Sequence, residues 1–361
     1  MLLLLALCSA PVRALDREAL LADQADSLGL AELERAGEAY IGPQDIRAGP
    51  DVNAAIRRMA DRGKETLRSA GREAARSCVL LLTTALLWSL AQGVRTAAGS
   101  DPMEAVTLAA CLSVTAVAVG DVHSLLAMGR EAMDRMETLG DLLLPAVSLA
   151  AAAGGNPGAA LAREGATILF SDLLIRLIRR LLIPLCYAFI AAGAAWAALG
   201  NDGLRRVSGL IKWAVTLLLS AVLLAFLFYL HLTGTVASGA DAAAVKAAKF
   251  TISNLVPVVG SVISDTAETL LAGAAVLRNA LGVFGMLAVG GVCVGPFLNL
   301  GAHYLLYKCA AALAATAAAE GRVTGLIDLL SAAFALVLAM TGACAVLLLV
   351  AMASAVTAVT V

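Results

Sequence analysis

Residues 212–232 read KWAVTLLLSAVLLAFLFYLHL, an apolar run whose only Lys, Arg, Asp or Glu is Lys212 at its first position. A helix needs about 20 predominantly apolar residues to cross the hydrocarbon core of a bilayer, and this segment has that length. Further apolar stretches lie after Cys78, approximately at residues 78–97, 103–121, 139–153, 166–199, 266–290, 292–318 and 326–352. The sequence therefore predicts an all-α protein, a polytopic membrane helical bundle.

The composition is far from that of a soluble domain. Of the 361 residues, 60% are hydrophobic and 15% are charged, whereas soluble domains are about 45–50% apolar and about 25% charged. Ala, Gly, Leu and Val supply most of the apolar residues, and small residues let helices approach closely in a bilayer. A genome rich in G and C would favour the same residues, so both explanations stay open. The net charge of −1 gives no indication of nucleic-acid binding.

Several apolar stretches do not have the form of simple spans. The stretch 139–153 is short for a crossing and is followed by Gly-Gly-Asn-Pro-Gly at 154–158, which predicts a hairpin over 139–180 that enters and leaves on one side. Pro184 should kink the stretch 166–199, and Gly295-Pro296 should break another. We therefore expect broken or re-entrant helices within the bundle.

The N-terminal residues differ from the rest. Residues 1–14 read MLLLLALCSAPVRA, which is typical of a signal peptide cleaved after Ala14; an uncleaved anchor and a lipid anchor are the alternatives. Residues 15–77 are rich in charges, and Asp51 should cap a helix. We predict a polar, helical extracytoplasmic segment over 15–77, followed by a multi-pass transmembrane domain over 78–361. The basic stretch 57–76 either touches lipid headgroups or is an ordinary juxtamembrane helix.

Motifs for enzyme chemistry are missing from the sequence. The chain contains no GxxxxGK[ST], GxSxG or HExxH pattern. Its seven cysteines form no CxxC pair, and its three histidines are far apart in sequence, so their spacing predicts neither a metal site nor a disulfide framework. We therefore expect a protein that is not an enzyme and that needs no cofactor.

Residues 234–301 depart from the pattern of plain spanning helix. An amphipathic stretch leads to a predicted helix break at Pro257 and Gly260, and Asp265 then opens the next helix. Helix, break and helix is the layout of discontinuous elements in transporters and channels. We predict a discontinuous-helix or gate site formed by Lys246, Lys249, Asn254, Pro257, Gly260, Asp265, Glu268, Arg278 and Asn279. The open alternative is that 235–265 lies at the membrane interface, with these charges in water.

The same stretch carries a resemblance to a known family. The features that carry it are Val-Ala-Ser-Gly-Ala-Asp at 236–241, Lys-Ala-Ala-Lys-Phe at 246–250, Asn-Leu-Val-Pro-Val-Val-Gly at 254–260, Asp265 to Glu268, and Leu-Arg-Asn at 277–279. They resemble stage III sporulation protein AE of endospore-forming bacteria. The layout is similar over roughly 78–355, and the match is close only over 234–301.

The resemblance implies a role that composition does not show. The family belongs to a complex in the mother-cell membrane around the forespore, which forms a secretion or feeding channel required for endospore development. The implied partners are other stage III sporulation membrane proteins, including an ATPase, ring-forming subunits and a forespore-side protein, together with membrane lipid and further copies of the chain. The alternatives are a stand-alone secondary transporter and a membrane scaffold without a pore.

Overall fold

The computed structural model describes residues 29–98, 103–153, 170, 173–255, 260–316 and 321–357; the side chains of 230–275 lie outside that description. All regular elements in the described part are helices. They are α1 Leu30–Ile41, α2 Val52–Ala98, α3 Met103–Ala153, α4 Leu173–Leu199, α5 Asp202–Leu255, α6 Gly260–Thr316 and α7 Gly321–Thr357. Helices α2 to α7 are each long and apolar enough to cross a membrane. The prediction of a polytopic helical bundle is confirmed.

Two pairs of apolar stretches that the sequence separates are single helices in the structure, and the break expected at Gly295-Pro296 is wrong. The stretches 103–121 and 139–153 both belong to α3, and 266–290 and 292–318 both belong to α6. Pro296 lies inside α6, because spanning helices tolerate proline where neighbouring groups satisfy the freed backbone. The predicted hairpin over 139–180 includes 154–169, outside the described residues.

Pro184 does mark a change of helix geometry in α4. Residues Ile178–Leu182 form a π-helical turn, in which the Ile183 amide donates to the Ile178 carbonyl. Pro184 then lies in the first turn of the following α-helical part, Ile183–Leu199. A proline fits there, because the first amides of a helix have no partner within it.

The long helices alternate in direction, so the bundle has an up-and-down order. Along α6, Cys293 touches Met136 of α3, and Tyr307 bonds an α3 residue that comes earlier in the chain, Asp121. Helices α3 and α6 are therefore antiparallel. Gly290 of α6 lies next to Met59 of α2, and Tyr307 of α6 lies next to Ser77 of α2. The contacts occur in the same chain order on both helices, so α2 and α6 are parallel.

Helix α7 is the most buried of the six long helices, and small residues allow its close crossings. A Cβ added at Gly325 of α7 would lie 2.6 Å from the Trp196 ring of α4, and one at Gly129 of α3 would overlap Val337 of α7. Such crossings are expected where packing rather than the hydrophobic effect holds helices together. The abundance of small residues thus has a structural use in this bundle.

The N-terminal helix α1 packs on the bundle and is held there by arginines of α2. Asp51 caps α2 as predicted, since its carboxylate accepts a hydrogen bond of 3.0 Å from the Ala54 amide. Arg58 donates to the Ile41 carbonyl at 3.2 Å, and Arg62 donates to two further carbonyls at the end of α1. Cations are favourable at the negative end of a helix. The signal peptide predicted over 1–14 lies outside the described residues.

Candidate functional site

The predicted discontinuous element falls at the junction of two helices. Lys246, Lys249 and Asn254 lie on α5, which ends at Leu255, and Gly260 is the first residue of α6. Asp265 and Glu268 follow in the first turns of α6, whereas Pro257 is outside the described residues. Further along α6, Arg278 is buried and Asn279 is exposed. The gate site remains a prediction, because the side chains from Lys246 to Glu268 are not described.

A polar cluster joins three helices inside the bundle. The Tyr307 hydroxyl of α6 donates a hydrogen bond of 2.6 Å to an Asp121 carboxylate oxygen of α3. Ser77 of α2 is a further hydrogen-bonding partner of this hydroxyl. Tyr307 has no exposed surface, and a buried hydroxyl without partners would be costly. The cluster therefore fixes the relative positions of α2, α3 and α6.

His303 extends this cluster by one helical turn. Its Nδ1 lies 3.0 Å from the Asn299 carbonyl. The His303 and Tyr307 rings each make a T-shaped contact with the Phe334 ring of α7. The sequence did not predict the cluster. Asp121 closes an apolar stretch and Tyr307 lies within another, so both were visible as polar groups in apolar surroundings, but 186 residues separate them.

Ion pairs join other neighbouring helices. Arg179, in the π-helical turn of α4, pairs with Asp134 and with Glu137 of α3, the latter at 2.6 Å. Lys308 of α6 pairs with Asp328 of α7. These side chains are partly exposed, so each pair contributes modestly to stability, about 0–1 kcal/mol. Their larger value is in fixing which residues lie side by side along the bundle.

One side of α2 carries a continuous set of exposed charges. We call this set the charged flank; it consists of Arg57, Asp61, Lys64, Glu65, Arg68, Arg72 and Arg76. At 100° per residue these positions fall within about one third of the helix circumference. The opposite side of the same stretch is buried against the bundle at Gly63, Ala70 and Ala74. The flank is thus the outer face of a helix that is firmly packed.

One side of α5 is also exposed, but its residues are apolar. We call this set the apolar flank; it consists of Val207, Leu210, Trp213, Leu217, Leu224, Leu227 and Phe228. Trp213 is 63% exposed and Phe228 is 67% exposed. Such a surface is unfavourable in water and is the normal outer surface of a helix in lipid.

The described residues contain no group of three or more His, Cys, Asp or Glu side chains that could hold a metal ion. Several polar groups there are instead hydrogen-bonded or ion-paired between helices, and others are exposed, as on α2. This arrangement can orient helices and present charge to water.

Comparison with known proteins gives the family. A family model described as Stage III sporulation protein AE matches residues 53–359. The chain is also similar to stage III sporulation protein AE of Bacillus subtilis (strain 168), with 23% identity over 198 residues, 55% of this chain and 49% of that relative. The match thus spans about half the length of the relative. No solved structure matches. Because the family model extends across all of α3 to α7 and nearly all of α2, the chain belongs to the stage III sporulation protein AE family.

Proposed function

We propose that this protein is a membrane core component of the channel between mother cell and forespore, required for endospore development. The observation that carries the proposal is the family match over 53–359, which includes the six helices long enough to span a membrane. The family is named for sporulation and not for an enzymatic activity. A multi-pass chain from such a family is suited to be the membrane part of a larger assembly.

The energy for transport would come from a partner. The sequence has no phosphate-binding loop, so we propose a separate ATPase, with ring-forming subunits and a forespore-side protein completing the assembly. We place the chain in the mother-cell membrane around the forespore, with its N-terminus on the extracytoplasmic side. A predicted signal peptide at 1–14 supports that orientation.

The junction between α5 and α6 is the proposed gate. Helix α5 ends at Leu255 and α6 begins at Gly260, and the sequence predicts a break at Pro257, between these two residues. Non-helical backbone at membrane depth is tolerated where it is buried in protein or lines a wet cavity. A gate at this point would use Asp265 and Glu268 on one side and Lys246 and Lys249 on the other.

A gene deletion tests the proposal in the endospore-forming host. Loss of the gene should arrest development after engulfment of the forespore, leave vegetative growth unchanged, and be reversed by a plasmid copy. Normal spore yield in the deletion strain would contradict the proposal. Solute uptake by the purified chain alone in liposomes would favour the stand-alone transporter instead.

A further inference from the structure

We propose that Met136, Cys293 and Cys344 form a binding site for a soft monovalent cation, Cu(I), inside the bundle. The three sulfur atoms come from α3, α6 and α7, and each of the three residues is at most 9% exposed. The inference goes beyond the proposed function and does not depend on it. Its evidence is that three sulfur ligands from distant parts of the chain lie at one level of the bundle.

Two of the sulfur atoms are in direct contact. The Sγ of Cys293 lies 3.7 Å from the Sδ of Met136. Three sulfur ligands around one cation, with bonds of about 2.3 Å as in zinc thiolates, are about 4 Å apart. The observed separation is therefore close to that of two ligands in a trigonal site.

Helices α3 and α7 pack in a fixed register. A Cβ added at Gly129 of α3 would overlap Val337 of α7. Eleven residues further along both helices, a Cβ added at Gly140 would lie 3.0 Å from Leu348. Because the contacts advance by the same number of residues on both helices, α3 and α7 are parallel and keep one register between these two points.

This register brings Cys344 to Met136. Each of these two residues comes seven positions after the contact between Gly129 and Val337, and seven residues make about two helical turns, so each lies on the same face as that contact. Cys344 is also close enough to Cys293 for their charged forms to repel each other. Both cysteines are free thiols. The three sulfur atoms therefore lie in one layer that three helices share.

Contacts between α6 and α7 place the same layer independently. Phe297 of α6 lies 3.2 Å from a Cβ added at Gly342 of α7, and a Cβ added at Gly285 of α6 would lie 3.0 Å from the Met352 sulfur. Helices α6 and α7 are therefore antiparallel. The two cysteines each fall between these contacts on their own helix, and both lie nearer to the first contact, which puts them at the same height.

The chemistry of the ligands indicates which cation fits. Thiolates and thioethers are soft ligands, and they favour Cu(I) over hard cations. Structural zinc sites take four ligands, drawn from Cys, His and carboxylates, whereas the described residues contain no group of three or more such side chains that could hold a metal ion. Met133 and Met340, both buried, continue the sulfur-rich interface by one turn. The site therefore fits a cation that is satisfied by three sulfur ligands.

Binding exchanges two protons for one cation. Cys293 and Cys344 bind as thiolates, so two protons pass to water, copper stays Cu(I), and the site gains one negative charge. The carboxylate of Glu137 interacts with Cys344 and is already paired with Arg179 at 2.6 Å. The added charge is therefore not placed beside an unpaired anion.

The alternative is that the three residues only fill space. Buried cysteine behaves as a small hydrophobic residue, and a separation of 3.7 Å also suits two sulfur atoms in plain contact. Packing alone gives Cys293 and Cys344 no preference for a soft cation over another buried thiol, such as Cys186 of α4. The uptake of Cu(I) therefore separates the two explanations.

Transfer of Cu(I) from a coloured chelator to the purified chain in detergent tests the proposal. Bicinchoninate in excess holds the metal, ascorbate keeps it reduced, and the loss of the chelate's absorbance counts the cations that the protein takes up. Cys293→Ser, Cys344→Ser and Met136→Leu each remove one ligand. The matched controls are Cys186→Ser, at a buried thiol, and Cys309→Ser, at an exposed thiol.

We expect the wild-type chain to take up one Cu(I) that both control variants retain. Cys293→Ser and Cys344→Ser should each lose this equivalent, and Met136→Leu should bind it at least tenfold more weakly. Absence of uptake by the wild type, or an equivalent that is lost only in a control variant, would overturn the proposal. Unchanged affinity in Met136→Leu would overturn the three-sulfur site.

X-ray absorption at the copper edge covers the case in which a cysteine variant does not fold. The Cys309→Ser chain, which keeps all three ligands, is loaded with one Cu(I) and measured. The nearest neighbours of copper should be three sulfur atoms at about 2.3 Å. Nitrogen or oxygen neighbours, or only two sulfur atoms, would overturn the proposal.

Discussion

The Tyr307 hydroxyl donates a 2.6 Å hydrogen bond to the Asp121 carboxylate and so joins α6 to α3 across 186 residues of chain. Tyr307 is completely buried, whereas Asp121 is only partly so. The bond therefore connects the interior of the bundle to a carboxylate near its edge. Ser77 of α2 is also a hydrogen-bonding partner of this hydroxyl. The Tyr307 hydroxyl therefore contacts both α2 and α3, and its bonds depend on the correct packing of α2, α3 and α6.

Removing this hydroxyl should destabilise the bundle. Tyr307→Phe removes the hydroxyl that donates a hydrogen bond to the Asp121 carboxylate. A hydrogen bond to a charged group contributes about 1.5–3 kcal/mol to stability. We expect a lower midpoint of thermal unfolding in detergent. Tyr304→Phe makes the same chemical change less than one turn away, at a residue with no hydrogen bond to the part of the chain that the structure describes, and is the control. Equal midpoints for the two variants would show that the bond contributes nothing.

Two glycine-to-alanine changes should have opposite effects on the stability of the protein. A Cβ at Gly37 would overlap the buried ring of Phe284, whereas a Cβ at Gly71 of α2 meets no atom within 4 Å. Gly37→Ala should cost about 1–3 kcal/mol through overpacking. Gly71→Ala should gain up to about 1 kcal/mol, since alanine favours a helix more than glycine does.

Limited proteolysis of the two glycine variants reports the effect locally. We expect faster cleavage between α1 and α2 in Gly37→Ala, because the added methyl group would disturb the packing of α1 against α6. Cleavage of Gly71→Ala should be unchanged or slower. If Gly37→Ala were cleaved at the wild-type rate, the contact between α1 and Phe284 would not hold this helix.

Arg179 should matter more than its neighbour Arg180. Arg179→Gln leaves Asp134 and Glu137 close together without their shared cation, whereas Arg180 has no ion pair within the described residues. We expect Arg179→Gln to cost about 1 kcal/mol or less, and Arg180→Gln to cost nothing measurable. Unfolding midpoints in low and high salt provide the check: the difference should shrink in 1 M salt, where the screening length is about 3 Å.

Changes at the junction of α5 and α6 should affect function more than folding. Pro257→Leu and Gly260→Leu would favour continuous helix where the gate is proposed, so spore yield should fall at least tenfold while the amount of protein in the membrane stays normal. Pro296→Leu is the control, because α6 already continues through that position. Full spore yield from both junction variants would remove the reason for placing a gate there.

The chain could be assigned to a membrane bundle and to its family from the sequence, but not divided correctly into helices. Residues 122–138 separate two apolar stretches because they contain charges such as Arg130 and Glu131. The helix nevertheless continues, since Leu125, Met133 and Met136 at helical spacing bury its other face. Consecutive residues in the sequence lie on both faces of a helix. An uninterrupted apolar run therefore ends where one face becomes polar, even though the helix continues and its other face stays buried.

The sequence also did not predict which residues of different helices lie side by side. Residues 57–76 are recognisably polar and 207–228 recognisably apolar, but their relative positions along the bundle depend on contacts such as those of Met136, Arg179 and Arg205. The same holds for Asp121 and Tyr307. Apolar periodicity predicts which face of a helix is buried, whereas the longitudinal offset of two helices depends on side-chain packing along their whole length.

The π-helical turn in α4 makes the length of this segment as important as its composition. A bond from residue 183 back to residue 178 encloses one residue more than an α-helical bond. Everything that follows is therefore rotated by about 100° relative to an uninterrupted α-helix. Deleting one residue between 178 and 182 would let a plain α-helical turn form there and would leave the face that Trp196 presents to α7 unchanged. Homologues that lack this residue should therefore keep the neighbours of α4, whereas homologues with the same length and a plain α-helical turn should present a different face to α7.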